Sequence, residues 1–343
     1  MNSFRFATKR LASVVFLTLC IRQAAQALPG DLDTGFSGDG KVATDFSSAG
    51  FSSFIANDLA IQTDRKIVVV GGASGRFALA RYHSNGSLDT TFGNGGLVTT
   101  DVTSFLDTAE GIALQADGKI VLVGTSIDDN SQSRGRVAVA RYNSNGSLDT
   151  TFGAGGIVTT NFGDSINDNL PVIAIRADGK IVLAGGADGN FALMRLNANG
   201  TVDTGFGTSG KVTTDFSGGN DFIRGIVIQA DGKIVAGGTG GDGFALARYD
   251  SNGNLDTSFG DGGKVTTDFA TVTDRGRAIA IQADGKIVVA GSANNNFAVA
   301  RYNANGSLDT TFSGDGKLTT NFGTHPFSGN ESIESGLERV SKV

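Results

Sequence analysis

The chain has 343 residues, 34 acidic against 28 basic side chains (formal net charge −6) and a single cysteine, Cys20. An acidic balance argues against a nucleic-acid or anionic-membrane partner, since each selects a basic patch. One cysteine excludes an internal disulfide framework and thiolate metal centres, and the length is ample for a sizeable core.

Taken in order, residues 1–27 read as a secretory signal peptide. Arg5, Lys9 and Arg10 form a positive start, residues 11–21 an apolar stretch, and Ala25-Gln26-Ala27 a small-x-small cleavage site. The stretch is too short to span a bilayer, which takes roughly 20 apolar residues. Bulky Leu19 before Cys20 speaks against a lipid anchor there. This reading places the chain from Leu28 onward outside the cytoplasm, as a secreted, periplasmic or cell-surface protein.

Residues 28–323 repeat one unit. The phrase Leu-Asp-Thr-x-Phe recurs with its aspartate at positions 33, 89, 149, 256 and 309, and Val202-Asp203-Thr204-Gly205-Phe206 is a variant copy. Successive aspartates lie 53 to 60 residues apart. That period marks a stacked or circular array, because one such unit cannot bury its own apolar face.

Four strands, a to d, follow one another within the unit. In the last copy, strand a (Arg277-Ala-Ile-Ala-Ile-Gln282) turns through Asp284-Gly285 into strand b (Ile287-Val-Val-Ala-Gly291). Asp-Gly between β-branched runs signals a type I′ hairpin, and it recurs at Asp117, Asp178 and Asp231; Asp64-Arg65 places arginine where positive φ is required. Strand c is Phe297-Ala-Val-Ala-Arg-Tyr302. In the signature that follows, Asn305-Gly306 makes a turn, Ser307 or Asp309 caps a short helical turn, and Leu308 and Phe312 point inward. Strands a to c are apolar on both faces and need cover on both sides, whereas strand d (residues 316–322) alternates as a half-wetted outer strand should. The expected fold is all-β: a β-propeller of about five four-stranded blades. A linear solenoid would use shorter coils. Five a–b–c sets stand against six d-type segments, since residues 40–46 precede the first strand a. Either terminal segment completes the last blade, which leaves a surplus outer-type strand at one terminus. Such an edge invites strand pairing or self-association.

The Asp-Gly-Lys-Ile-Val hairpin, the Phe-Ala-Leu-Ala-Arg-Tyr strand (residues 77–82 and 244–249) and the Asn-Gly-Ser-Leu-Asp-Thr-Thr-Phe-Gly signature (residues 85–93 and 145–153) resemble the delta-60 repeat proteins over about residues 31–323. The resemblance implies a bacterial, extracytoplasmic, often surface-associated propeller with no established activity and no catalytic residues to carry over. Residues 324–343 leave the pattern as an irregular tail.

Catalytic groups are sparse. The two histidines, His83 and His325, have no serine placed beside them by spacing, and Glu110, Glu331, Glu334 and Glu338 are the whole glutamate supply. Residues 35–41 and 205–211 approach a phosphate loop, but both continue with valine and open a strand, so they are rejected. Asp107, Asp168, Asp221 and Asp274 each stand eight residues before the end of a strand a, with Phe54 there in the first unit. They fall in d–a loops, on the same face as the b–c loops. Such a partial ring offers a site to a hard cation such as calcium, or to a hydroxyl-rich ligand; that each aspartate caps its own loop is the simpler reading. No cofactor is required. The long b–c loop of the second unit, with Asp128 and Asp129, is a further candidate because it departs from the repeat. The strand-c arginines (Arg81, Arg141, Arg195, Arg248, Arg301) are expected to pair with repeated aspartates between neighbouring blades. Near-identical units point to a non-enzymatic scaffold for a protein or glycan ligand. The alternatives are a cation-assisted enzyme on a polysaccharide and a purely structural surface-array module.

Overall fold

The Asp-Gly pairs do close the a–b hairpins. The turns form, but not as type I′: only the glycine of each pair (Gly118, Gly179, Gly232, Gly285) takes positive φ, at 80–83°. The Gly118 N–H donates to the Gln115 carbonyl (2.9 Å), so each is a type I turn followed by a glycine bulge. Arg65 is drawn to φ 66° in the copy that lacks the glycine. The computed structural model describes residues 31–46, 54–103, 106–127, 135–163, 169–216, 219–270 and 274–321. The leader, the tail, Asp128, Asp129 and Asp168 lie outside the described residues.

The hairpins build five four-stranded antiparallel sheets, each in chain order. The first contains β1 (Phe54–Ile61), β2 (Ile67–Ala73), β3 (Arg76–Tyr82) and β4 (Leu97–Thr100); the second β5 (Leu106–Leu114), β6 (Ile120–Ile127), β7 (Arg136–Tyr142) and β8 (Ile157–Thr160). The third has β9 (Asn169–Ile175), β10 (Ile181–Ala187), β11 (Asn190–Leu196) and β12 (Lys211–Thr214). The fourth has β13 (Phe222–Ile228), β14 (Ile234–Gly240), β15 (Gly243–Tyr249) and β16 (Lys264–Thr267). The fifth has β17 (Asp274–Ile281), β18 (Ile287–Ala293), β19 (Asn296–Tyr302) and β20 (Lys317–Thr320). First strands of successive sheets pack on one another, so they are innermost and the short fourth strands outermost. These are the blades of an all-β propeller.

β20 fills the outer place of the fifth blade, which leaves the outer-type sequence at the other terminus over. Residues 41–46 form no strand, yet the Thr44 hydroxyl meets the Tyr82 hydroxyl. That contact copies the Tyr142–Thr100, Tyr249–Thr214 and Tyr302–Thr267 hydrogen bonds (2.7–2.8 Å) that tie strand c of the second, fourth and fifth blades to the preceding blade's outer strand. Residues 31–42 belong to a small separate unit, a turn in which the Gly35 N–H donates to the Asp33 carboxylate (2.8 Å).

The core lies between blades rather than within them. Four apolar clusters each join the trailing face of one blade to the leading face of the next: Val68, Val70, Phe77 and Leu79 meet Ile112, Ile120 and Leu122, for example. Burying such side chains stabilises by about 1.5–3 kcal/mol each.

A polar assembly recurs beside each cluster. The signature aspartate is buried and pairs with the strand-c arginine and the hairpin lysine: Asp149 lies 2.8 Å from Arg141 and 3.1 Å from Lys119, and Asp309 lies 2.7 Å from Arg301 and 3.1 Å from Lys286. The guanidinium lies over the signature phenylalanine, 4.3–4.8 Å from its centroid in all five blades. The arginine–aspartate pair is thus internal to one blade, not shared between neighbours as the sequence led us to expect. The residues stand eight apart, and the turn after strand c folds the signature back on that strand. What crosses the interface is the arginine's Nη1, which donates to a turn carbonyl of the following blade: Ser144, Ala198, Ser251 and Ala304 in turn. The signature aspartate caps a single turn: the Asp149 carboxylate accepts the Thr151 N–H (3.1 Å) while the Phe152 N–H donates to the Asp149 carbonyl (3.0 Å).

The Thr151 hydroxyl, then Lys119 and Arg141, hold the Asp149 carboxyl well below the usual carboxylate range in spite of its burial; Ser258, Lys233 and Arg248 do the same for Asp256. A depressed native pKa contributes stability above the unfolded value of about 3.9, and that contribution is lost as pH falls through the native value. Urea stability should therefore hold down to about pH 4 and decline below it. Asp149→Ala, which leaves Arg141 buried without its anion, should cost about 3 kcal/mol at neutral pH in the same measurement and flatten the acid limb.

Candidate functional site

Strand b carries glycine where the inner strand presses against it. A Cβ on Gly71, Gly124, Gly238 or Gly291 would lie 1.9–2.0 Å from the carbonyl oxygen of Ile55, Thr108, Phe222 or Arg275 respectively. That close approach accompanies a β-bulge in each of these inner strands, where the register slips past one residue: Asn57, Glu110, Arg224 and Arg277. A bulge re-aims the side chain it carries. The third blade has its own irregularity, opposite Ala184 and Gly186.

These re-aimed residues differ between blades while the framework around them repeats. Asn57 donates to the Ala109 carbonyl of the next blade (2.8 Å), and Glu110 accepts from the Thr125 hydroxyl (2.8 Å). In the fourth and fifth blades both positions are arginine. A cavity of about 370 Å³ opens there, lined by Arg224, Arg275 and Arg277, with Asn220, Phe222 and Thr239. The Arg224 guanidinium stacks on the Phe222 ring at 4.4 Å. Asp242 and Asp274 line the same cavity. Three guanidiniums against two carboxylates leave the lining net positive beside an aromatic face, which suits a ligand with anionic substituents.

Three of the four aspartates of the candidate ring lie among the described residues, and they make the loop-capping contacts of the simpler reading. Asp107, Asp221 and Asp274 are at most 2% exposed. Asp107 accepts the Val102 and Thr103 N–H groups (2.8 and 3.0 Å), Asp221 those of Phe216 and Gly241 (2.7 and 2.9 Å), and Asp274 that of Phe269 (2.7 Å). Their own N–H groups reach back to the preceding blade, where Asp107 and Asp221 donate to the Gly75 and Gly189 carbonyls (2.9 and 2.8 Å). Each carboxylate therefore closes its own d–a loop, and that of Asp221 also ties the loop to a b–c turn at Gly241. Among the described residues no group of three or more His, Cys, Asp or Glu is placed to hold a metal ion. His83 lies 3.8 Å from the Asp89 carboxylate at the surface of the first blade. Sequence reading missed Arg224 and Arg277. The signal was present as the residue four places before the end of each inner strand, where the repeat stops repeating.

Five segments (residues 62–92, 115–152, 176–206, 229–259 and 282–312) match a family model described as a domain of unknown function (DUF5122) beta-propeller. No curated protein matches the sequence. Among solved structures the chain is similar to virginiamycin B lyase from Staphylococcus aureus, with 10% identity, TM-score 0.47, and coverage of 74% of this chain and 68% of that one. It is also similar to a gluconolactonase from Xanthomonas campestris (15%, 0.40, 68% and 68%) and to the PQQ-bound aldose sugar dehydrogenase from Streptomyces coelicolor (15%, 0.44, 76% and 82%). At such identities the likeness is one of fold alone.

Asp221→Ala should lower urea stability by about 1–3 kcal/mol, because two buried N–H groups lose their acceptor. Calcium should stabilise neither form. A calcium-dependent gain confined to the unsubstituted chain would assign the carboxylates to a cation instead.

Proposed function

We propose that this five-repeat β-propeller is a non-enzymatic binding scaffold, and that the bulge face of its fourth and fifth blades takes an acidic ligand, a saccharide carrying carboxylate or sulfate groups. The observation that carries this reading is the break in repetition. Where the fold re-aims one side chain in each of four blades, the chain holds Asn57 and Glu110 early and Arg224 and Arg277 late, although the signature aspartate and strand-c arginine are kept in every blade. A guanidinium pairs with a carboxylate or sulfate through two parallel N–H bonds, which a lysine cannot reproduce. Phe222 adds an apolar surface for a sugar ring, and Asn220 and Thr239 add neutral hydrogen-bonding groups. A glycan ligand also accords with the extracytoplasmic placement read from residues 1–27 and with the delta-60 resemblance of the signature.

Calorimetric titration with polygalacturonate and heparin, with dextran as the neutral control, tests this. Binding of an acidic polymer is expected, with Arg224→Glu and Arg277→Glu each weakening it at least about tenfold, or about 1.4 kcal/mol. Equal binding of dextran, or indifference to both substitutions, would contradict the reading; breakdown of the polymer would favour an enzyme.

A further inference from the structure

The interfaces between blades follow one rule, so the faces that the end blades turn outward can be compared with it position by position. On the leading face, Ile112, Ile173, Ile226 and Ile279 are at most 9% exposed, but Leu59 at the same place in β1 is 46% exposed and Ile61 is 62% exposed. On the trailing face, Phe77, Val137, Phe191 and Phe244 are at most 2% exposed, but Phe297 is 41% exposed. Leu318 is 42% exposed where its counterparts Val98, Val158, Val212 and Val265 pack into the four inter-blade clusters. Among the described residues no fifth cluster joins the first and fifth blades.

We propose that these two faces are halves of a fifth copy of the same interface, completed between molecules: the fifth blade of one chain packs on the first blade of a second copy. The apolar halves correspond residue by residue to partners that already meet four times within the chain. The polar half is formed as well. Arg301 holds the pose of its counterparts, over Phe312 at 4.8 Å and 2.7 Å from Asp309. Ser313 keeps the φ of 54° that Gly93, Gly153, Gly207 and Gly260 use (52–55°) to donate their N–H to the following blade's turn. On the receiving side, Ser84 and Asn85 sit in the same turn as the acceptors Ser144 and Asn145, closed by the Gly86 N–H on the His83 carbonyl (3.0 Å) as Gly146 closes on Asn143 (2.9 Å). Residues 43–46 act as a placeholder. Thr44 occupies the spot on Tyr82 that Thr320 of the docking copy would take, so docking exchanges one hydroxyl pair for its equivalent. The contact is head-to-tail, so each copy that docks still presents one free face, and the rotation carried by the interface sets whether the assembly closes into a ring or extends.

Sedimentation velocity over a concentration series tests this. The chain is expected to grow beyond one copy with concentration, and Leu59→Asp or Leu318→Asp each to hold it monomeric; circular dichroism checks that both variants fold, with Ile61→Glu as a second leading-face variant. Each variant keeps one sound face, so an equimolar mixture should form one-to-one dimers and nothing larger. A chain that stays monomeric throughout, or a mixture of variants that does not pair, would overturn the proposal.

Discussion

An arginine laid on a phenylalanine, neutralised by its own blade's aspartate and donating to the next blade's backbone, is the contact on which the rest of this molecule depends. A four-stranded sheet with apolar residues on both faces has no stable existence alone, so its energy lies in its neighbours. Dispersion and burial supply most of that energy without direction. The arginine supplies register, because its Nε must meet the aspartate while its Nη1 finds one turn carbonyl across the interface. The hairpin lysine stands well before the strand-c arginine and the signature aspartate eight residues after it, and the recurrence of all three together is one constraint written three times.

Most of this architecture was legible in the sequence. Asp-Gly gave the hairpins, and the two-sided apolar strands gave the need for cover. The d-type alternation identified the outer strand, found at β20 with residues 41–46 left over. Two things were not legible. The partner of Arg141 was assigned to another blade because spacing alone does not say that the turn after strand c doubles back on it. The role of Asp221 was open because a loop carboxylate that binds a cation and one that accepts two backbone N–H groups look alike until the loop's path is known.

The candidate site shows how a repeat fold leaves room for function. Glycines in strand b, such as Gly238, let an inner-strand carbonyl approach to where a Cβ would stand, and in four of the blades the resulting bulge turns one side chain out of the ladder. That side chain is released from the pairing rule governing its neighbours, so its chemistry can change without cost to the framework. Asparagine, glutamate and arginine all occur there, while Asp107, Asp221 and Asp274 on the same face remain tied to loop closure.

If stability resides in the interfaces, it must be highest where a blade has two neighbours and fall towards both ends. Native-state hydrogen exchange on dilute, monomeric chain measures this directly. The account expects the amides of β7, β11 and β15 to exchange most slowly, and those of the first and fifth blades to open at distinctly lower free energy. Uniform protection across all five blades would contradict it.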